Sequence, residues 1–387
     1  MAYNRKQRLN DNIKAIETAF ILDREQRTPT ARERLLLERY CGFGGLKCIL
    51  NPARELADAV HWAKSDLELF APTVELHRLI RENSKNESEY KQLMDSLKQS
   101  VLTAFYTPSA VTEALTDVLK EHQIIPEKVL EPSAGIGAFV DSVLDNNPKA
   151  DIMAFEKDLL TGKILRHLHP EQKVRIEGFE KIEKPFNDYF DLAISNIPFG
   201  DVAVFDPSYT AMKGMRALVT RRIHNYFFVK ALDTVRDGGL VAFITSQGVL
   251  NAKNNSAARF MMLYHADLVS AIRLPNNLFT ENANTEVGSD LIILQKNSQK
   301  ESLRGDDNLL DTVYNDENRI PTNNYFLEHP ERIIHTTAKL DTDPFGKPAM
   351  IYTHEDGVEG IAEDLRKMLH EDFKKNLNLN RYLGIEE

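Results

Sequence analysis

Two short stretches of the chain hold residues that could do chemistry. In FDLAISNIPFGD, residues 190–201, an apolar run ends on Asn196, Ile197, Pro198 and Phe199 ahead of a glycine. A buried strand that stops on an amide, a proline without an N–H and an aromatic ring suggests a site at its end. The side-chain oxygen of Asn196 and the backbone carbonyl of Ile197 are two acceptors. They suit an amino group whose lone pair is delocalised, because binding both of its N–H groups favours a more tetrahedral, more nucleophilic nitrogen. Phe199 offers a face on which a flat ring can stack. The second stretch is EPSAGIGAF, 131–139, where Gly135 and Gly137 permit a tight turn and close approach of backbone to a ligand. Such a turn alone is a weak signal. Glu156, roughly 20 residues on, adds an acid that can accept from ribose hydroxyls, and together they specify an adenosine-containing cofactor.

These residues need a sheet to bring them together. From residue 128 onward, short apolar runs alternate with helical stretches: 128–131, 151–156, 173–178, 190–195, 239–245, 267–274 and 290–295. Seven strands with helical connections predict an α/β fold, a Rossmann-like, mostly parallel sheet with helices on both faces. The last two runs are joined without a helical period, so the final strand is expected antiparallel beside its predecessor, a hairpin edge on the sheet. Upstream, 7–40 and 53–100 have helical spacing, and Gly42, Gly44 and Gly45 read as a helix stop and turn, since no strand precedes them. Residues 359–375 predict one amphipathic helix. The expected organisation is a helical N-terminal region over 1–100, a catalytic domain over 101–296 and an acidic C-terminal extension over 297–387.

The chain has 387 residues, net charge −10, and no apolar run near the roughly 18 residues of a membrane span. No signal peptide is visible at its start, and the reading is a cytoplasmic protein with no membrane partner. Cys41 and Cys48 are the only cysteines and read as reduced structural thiols, so no metal is expected. The acidic balance argues against a nucleic-acid partner only until its distribution is considered. Residues 297–387 hold 19 acidic against 11 basic side chains, leaving −2 for the first 296, and 207–232 holds five basic residues without one acid. Lys213, Arg216, Arg221 and Arg222 are candidate phosphate contacts, a solvated helix face being the alternative.

With AFYTP at 104–108 upstream of SNIPF, the chain resembles the amino-group DNA methyltransferases that use S-adenosylmethionine. The family's catalytic motif is Asn or Asp, Pro, Pro, then Tyr or Phe, and this chain departs from it at Ile197. The resemblance covers about 101–296. It implies transfer of a methyl group to the N6 amino group of an adenine flipped out of DNA, with Phe199 stacking on the extracted base. Tyr106, Thr107 and Pro108 match the segment that holds the methionine part of the cofactor. A helix cap by Thr107, with Pro108 opening the helix, accounts for the same residues. Glu131, Ala134, Gly135 and Gly137 match the cofactor loop, and Glu156 the ribose acid. Phe179 could pack on the cofactor adenine, but Gly178 stands where the family carries the acid that binds the adenine amino group, with Glu177 or Glu180 as substitutes. Phe279 matches a late aromatic that helps sandwich the flipped base, ordinary core packing being as good an account.

A narrower resemblance comes from RYCGFGGL near the start and NNYFLEHPERI at 323–333, which look like the methyltransferase section of large methylase–helicase proteins of conjugative elements and phage. It implies DNA as substrate and a helicase or target-recognition module as partner. Two other functions stand beside this one: a protein-glutamine methyltransferase, disfavoured by the basic stretch, and a non-catalytic DNA-binding or anti-restriction component of a mobile element.

Overall fold

The computed structural model describes residues 4–103, 106–212, 214–280, 286–303, 307–314, 319–343 and 346–385. Its centre is a seven-stranded sheet of β1 (Lys128–Glu131), β2 (Asp151–Phe155), β3 (Lys173–Arg175), β4 (Phe190–Asn196), β5 (Val235–Ser246), β6 (Ala266–Leu274) and β7 (Ser289–Lys296), in the order β3-β2-β1-β4-β5-β7-β6. The first five are mutually parallel, as the alternation of runs and helical stretches predicts. The chain winds from β1 outward through β2 and β3 on one side, and through β4 and β5 on the other. Strand order therefore reverses between β1 and β4, where a ligand crevice opens in such sheets.

The expected antiparallel hairpin forms at one edge of the sheet. β7 is antiparallel to β6 and also to β5, so it lies inside the sheet and β6 is the edge. The reason is composition. β7 reads DLIILQ, with Leu291 and Ile293 in the core on one face, Ile292 and Leu294 in the core on the other, and all four fully buried. An interior place pairs both backbone edges of this long apolar strand, which would otherwise offer an unpaired edge.

Helices α1 (Arg5–Glu25), α2 (Ala31–Glu38), α3 (Phe70–Glu82) and α4 (Glu87–Thr103) form the N-terminal region, where Thr30 and Glu33 make a reciprocal cap at the start of α2. Their core is shared with α7 (Leu159–Leu168), through Leu160, Ile164 and Leu168. The glycine stretch after α2 is a structural turn, with Gly42 and Gly45 at φ 68° and 77°. Buried Asn12 pins it by donating to Gly42 O at 2.7 Å and accepting from Cys41 N at 2.9 Å. Cys41 and Cys48 are free thiols.

One sheet face is covered by α5 (Ser109–Glu121), α6 (Ala138–Asn146) and the helix Gly357–Asn376, whose Ile361, Leu365, Leu369 and Phe373 enter the core. The other is covered by helices Ile223–Thr234 and Ser256–His265. Residues 297–387 thus contribute a full core helix, whose one buried acid, Asp372, accepts from Ser270 Oγ at 2.6 Å, and it runs a little longer than the predicted 359–375. Among the described residues no helix is long and apolar enough to cross a membrane, and no group of three or more His, Cys, Asp or Glu is placed to hold a metal ion.

Candidate active site at the carboxyl ends of the strands

The turn after β1 is built on its glycines. Gly135 and Gly137 have φ of 57° and 94°, a region that side-chain-bearing residues rarely adopt. A Cβ on Gly135 would come within 2.8 Å of the Tyr106 ring, so the glycine also admits that ring. Ala134 N donates to Phe155 O and Gly137 N to Ala134 O, both at 2.8 Å, which fastens the turn to the end of β2. Ser195 Oγ donates to Ser133 O at 3.1 Å, fastening it to β4 as well.

Acidic groups gather around this turn. Glu156 accepts from Gly135 N through Oε2 and from Asp158 N through Oε1, each at 2.8 Å. Burial, then the neighbouring Asp158, push its carboxyl up to about 8. Glu131 is buried at the end of β1, and burial, with Asp141 and Glu156 nearby, holds it well above the usual carboxylate range. Its Oε2 has no hydrogen-bond partner among the described residues. Buried carboxyls raised in this way favour a positively charged ligand, which would restore their ionised forms. S-adenosylmethionine carries a sulfonium, so the residues fit it.

Tyr106, Thr107 and Pro108 precede α5. The cap reading is not what forms, because α5 begins at Ser109 with Pro108 as its cap residue and no side-chain cap bond. Thr107 is buried, and its Oγ1 has no partner among the described residues, a polar atom consistent with a ligand nearby. The N-terminal region supports the site from behind. Ser96 Oγ donates to Asp158, which caps α7 by accepting from Thr161 N at 2.9 Å, and Tyr40 Oη lies 3.3 Å from Thr161 Oγ1.

After β3, the carboxyl of Glu180 folds back over Gly178, its Cδ 2.5 Å from where a Cβ on that glycine would stand. Glu177 is instead tied to Arg175. Phe179 is fully buried, packed against Phe155, Phe227 and Tyr226 with ring centroids 5.8, 5.3 and 6.4 Å away.

Asn196 ends β4 opposite Ile244 of β5. Ile197 is buried, and its N–H donates to Ile244 O at 3.0 Å, one more rung of the ladder before the chain turns at Pro198. Phe199 meets Phe279 edge to face at 6.3 Å, and Phe279 is itself fully buried in the core.

The structure disperses the basic stretch. Arg216 is held by Asp233 through two bonds of 2.6 and 2.9 Å, and Arg222 by Asp201 at 3.2 Å and Asn254 at 2.8 Å. Lys230 is buried against Asp206. Acids flanking 207–232 in sequence therefore neutralise much of it in space. Arg221 is exposed, with no ion pair among the described residues, and Lys213 lies outside them.

Sequence reasoning missed the polar tips of β5 and β7. Thr245 Oγ1 and Ser289 Oγ are buried without partners among the described residues, as is Gln247 Nε2, and Arg273 makes a buried two-bond pair with Asp290 at 2.9 and 3.1 Å. The signal was available in TSQG and SDLIILQ, polar residues ending or opening apolar strands, the same cue that singled out Asn196.

A family model described as N-6 DNA Methylase matches residues 88–384. The chain belongs to the N-6 DNA methylase family. The chain is 29% identical over 201 residues to the defense against restriction protein B of Escherichia phage P1, covering 50% of this chain and 8% of that protein. It is 25% identical over 173 residues to the type II methyltransferase M.XamI of Xanthomonas campestris pv. amaranthicola, covering 41% of this chain and 33% of the relative. The matched regions thus span a third or less of these curated relatives. Among solved structures, the methyltransferase subunit of a type I restriction-modification system from Streptococcus thermophilus is similar, at 16% identity and a TM-score of 0.44, covering 82% of this chain and 71% of that one.

Proposed function

We propose that the chain transfers the methyl group of S-adenosylmethionine to the N6 amino group of an adenine extruded from DNA. One observation carries the reading: Asn196 and the Gly135–Glu156 turn stand on adjoining strand ends, coupled by Ser195 and Ser133, on a chain of the N-6 DNA methylase family. When bound, S-adenosylmethionine supplies an electrophilic methyl group.

The chain's own residues do the rest. Glu156 accepts from the ribose hydroxyls while holding the glycine turn in shape. Glu131 and Thr107 provide the buried polar atoms facing the cationic end, and Tyr106, lying on Gly135, closes the pocket. Glu180 takes the place of the missing acid at position 178, because its carboxyl already fills that space and Glu177 is engaged elsewhere. Asn196 and the Ile197 carbonyl bind the acceptor amine and localise its lone pair, which removes the need for a strong base. Phe199 supplies the stacking face. Target selection falls to a recognition module or helicase-bearing partner.

The test is incubation with labelled S-adenosylmethionine and separate pools of DNA, RNA and protein. Label recovered as N6-methyladenine from DNA is expected. Label on protein glutamine instead would overturn the proposal.

A further inference from the structure

The loop that leaves the acceptor site holds an aromatic ring in water although its backbone is fixed. Asp206 is 3% exposed and accepts from Tyr226 Oη at 2.7 Å, Ser208 N at 2.8 Å and Lys230 Nζ at 3.3 Å. Val204 N donates to Thr220 O at 2.8 Å, and Asp201 pairs with Arg222 at 3.2 Å. On this strap Phe205 is 77% exposed and Val202 62% exposed. Among the described residues no other phenylalanine is as exposed as Phe205. Apolar side chains exposed together, on backbone secured by a buried carboxylate, mark a surface that meets something.

We infer that Phe205, with Val202 beside it, is the wedge that enters the base stack when the target adenine leaves the duplex. The inference rests on the function proposed above. Extruding a base leaves a gap whose neighbours lose their stacking, and an apolar side chain inserted there offsets that loss. Two observations favour DNA as the occupant over a protein partner. Phe205 follows Phe199 by six residues, which keeps it within about 20 Å of the acceptor site even on a fully extended chain. The Val204–Thr220 bond sets it near Arg221, which is exposed and makes no ion pair among the described residues. A ring flanked by a free cation is the combination that stacks on bases while holding the adjacent phosphate.

The experiment compares initial methyl-transfer rates on long duplex DNA of mixed sequence for the wild type, Phe205→Ala and Phe205→Trp, with cofactor affinity measured by calorimetry. The alanine variant is expected to lose about tenfold or more in duplex rate, in line with base–aromatic stacking. The tryptophan variant should stay within about threefold of wild type, and cofactor affinity should be equal in all three. Duplex containing 2-aminopurine in place of some adenines should brighten on binding wild type and Phe205→Trp, but not Phe205→Ala. An alanine variant as fast as wild type overturns the wedge alone, as does a tryptophan variant that falls as far as alanine. A wild type inert on DNA overturns the function reading and the wedge with it.

Discussion

The backbone N–H of Gly135 donates to Oε2 of Glu156 at 2.8 Å, so the turn after β1 and the acid after β2 form one unit. Glu156→Ala should therefore weaken S-adenosylmethionine binding by about 1.5–3 kcal/mol, the range for a hydrogen bond to a charged group. Titration calorimetry checks it, and unchanged affinity would remove Glu156 from the cofactor site.

The same carboxyl sets a pH dependence. It holds its proton in the folded chain up to about pH 8, against an ordinary 4.5. Between those values the folded state binds more protons than the unfolded one. The stability this group contributes is thus fully present below about pH 4.5 and lost as pH rises through about 8. Cofactor affinity should move the other way, rising toward pH 8, because the ionised carboxylate is the stronger acceptor for the ribose hydroxyls. Melting curves and binding isotherms across this window should show both trends, and both should flatten in Glu156→Gln.

Asn196→Ala should lower the methyl-transfer rate by about 10²–10³ while leaving cofactor affinity in place. Full activity would sink the assignment of Asn196 to the acceptor amine.

Glu180 and Glu177 make a matched pair for distinguishing the adenine acid. Glu180→Gln should reduce cofactor affinity about tenfold, in the lower part of the charged hydrogen-bond range. Glu177→Gln breaks a partly exposed pair with Arg175 and should change it little. Equal losses in both would refute the choice of Glu180.

Arg221 and Arg216 differ in what they are free to touch. Arg221→Ala should flatten the log–log salt dependence of DNA binding by about 0.9, as expected for one phosphate contact. Arg216→Ala should instead lower the melting temperature, since it leaves Asp233 without its ion-pair partner and with only the Tyr209 hydroxyl. A salt slope that shifts only in Arg216→Ala would reverse the assignment.

Much of the fold was legible because the strands are short apolar runs and the connections carry helical spacing. The interior position of β7 was not, since a local pattern says what a strand buries but not which strands flank it. The two turns were legible from Gly135, Gly137 and Asn196. Ile197 reads from the sequence as a lapse from the family motif. In space it donates an N–H to Ile244 O that proline lacks, so the substitution exchanges ring rigidity for a ladder bond. The pairing of the basic stretch was not legible within 207–232, because its neutralising acids, Asp201, Asp206 and Asp233, lie just outside it in sequence.

The insertion of β7 between β5 and β6 has a consequence for synthesis. Strand β5 ends at Ser246, but the partner that closes its open edge is complete only at Lys296, some fifty residues later. At ribosomal rates that is about 3–10 s during which a long apolar strand is on offer to any other chain. Covering the adjacent face takes longer still, since the helix Gly357–Asn376 follows β7 in the chain. An N-terminal fragment that stops between these points should aggregate, and nascent chains of this protein should depend on chaperones most strongly over the same interval.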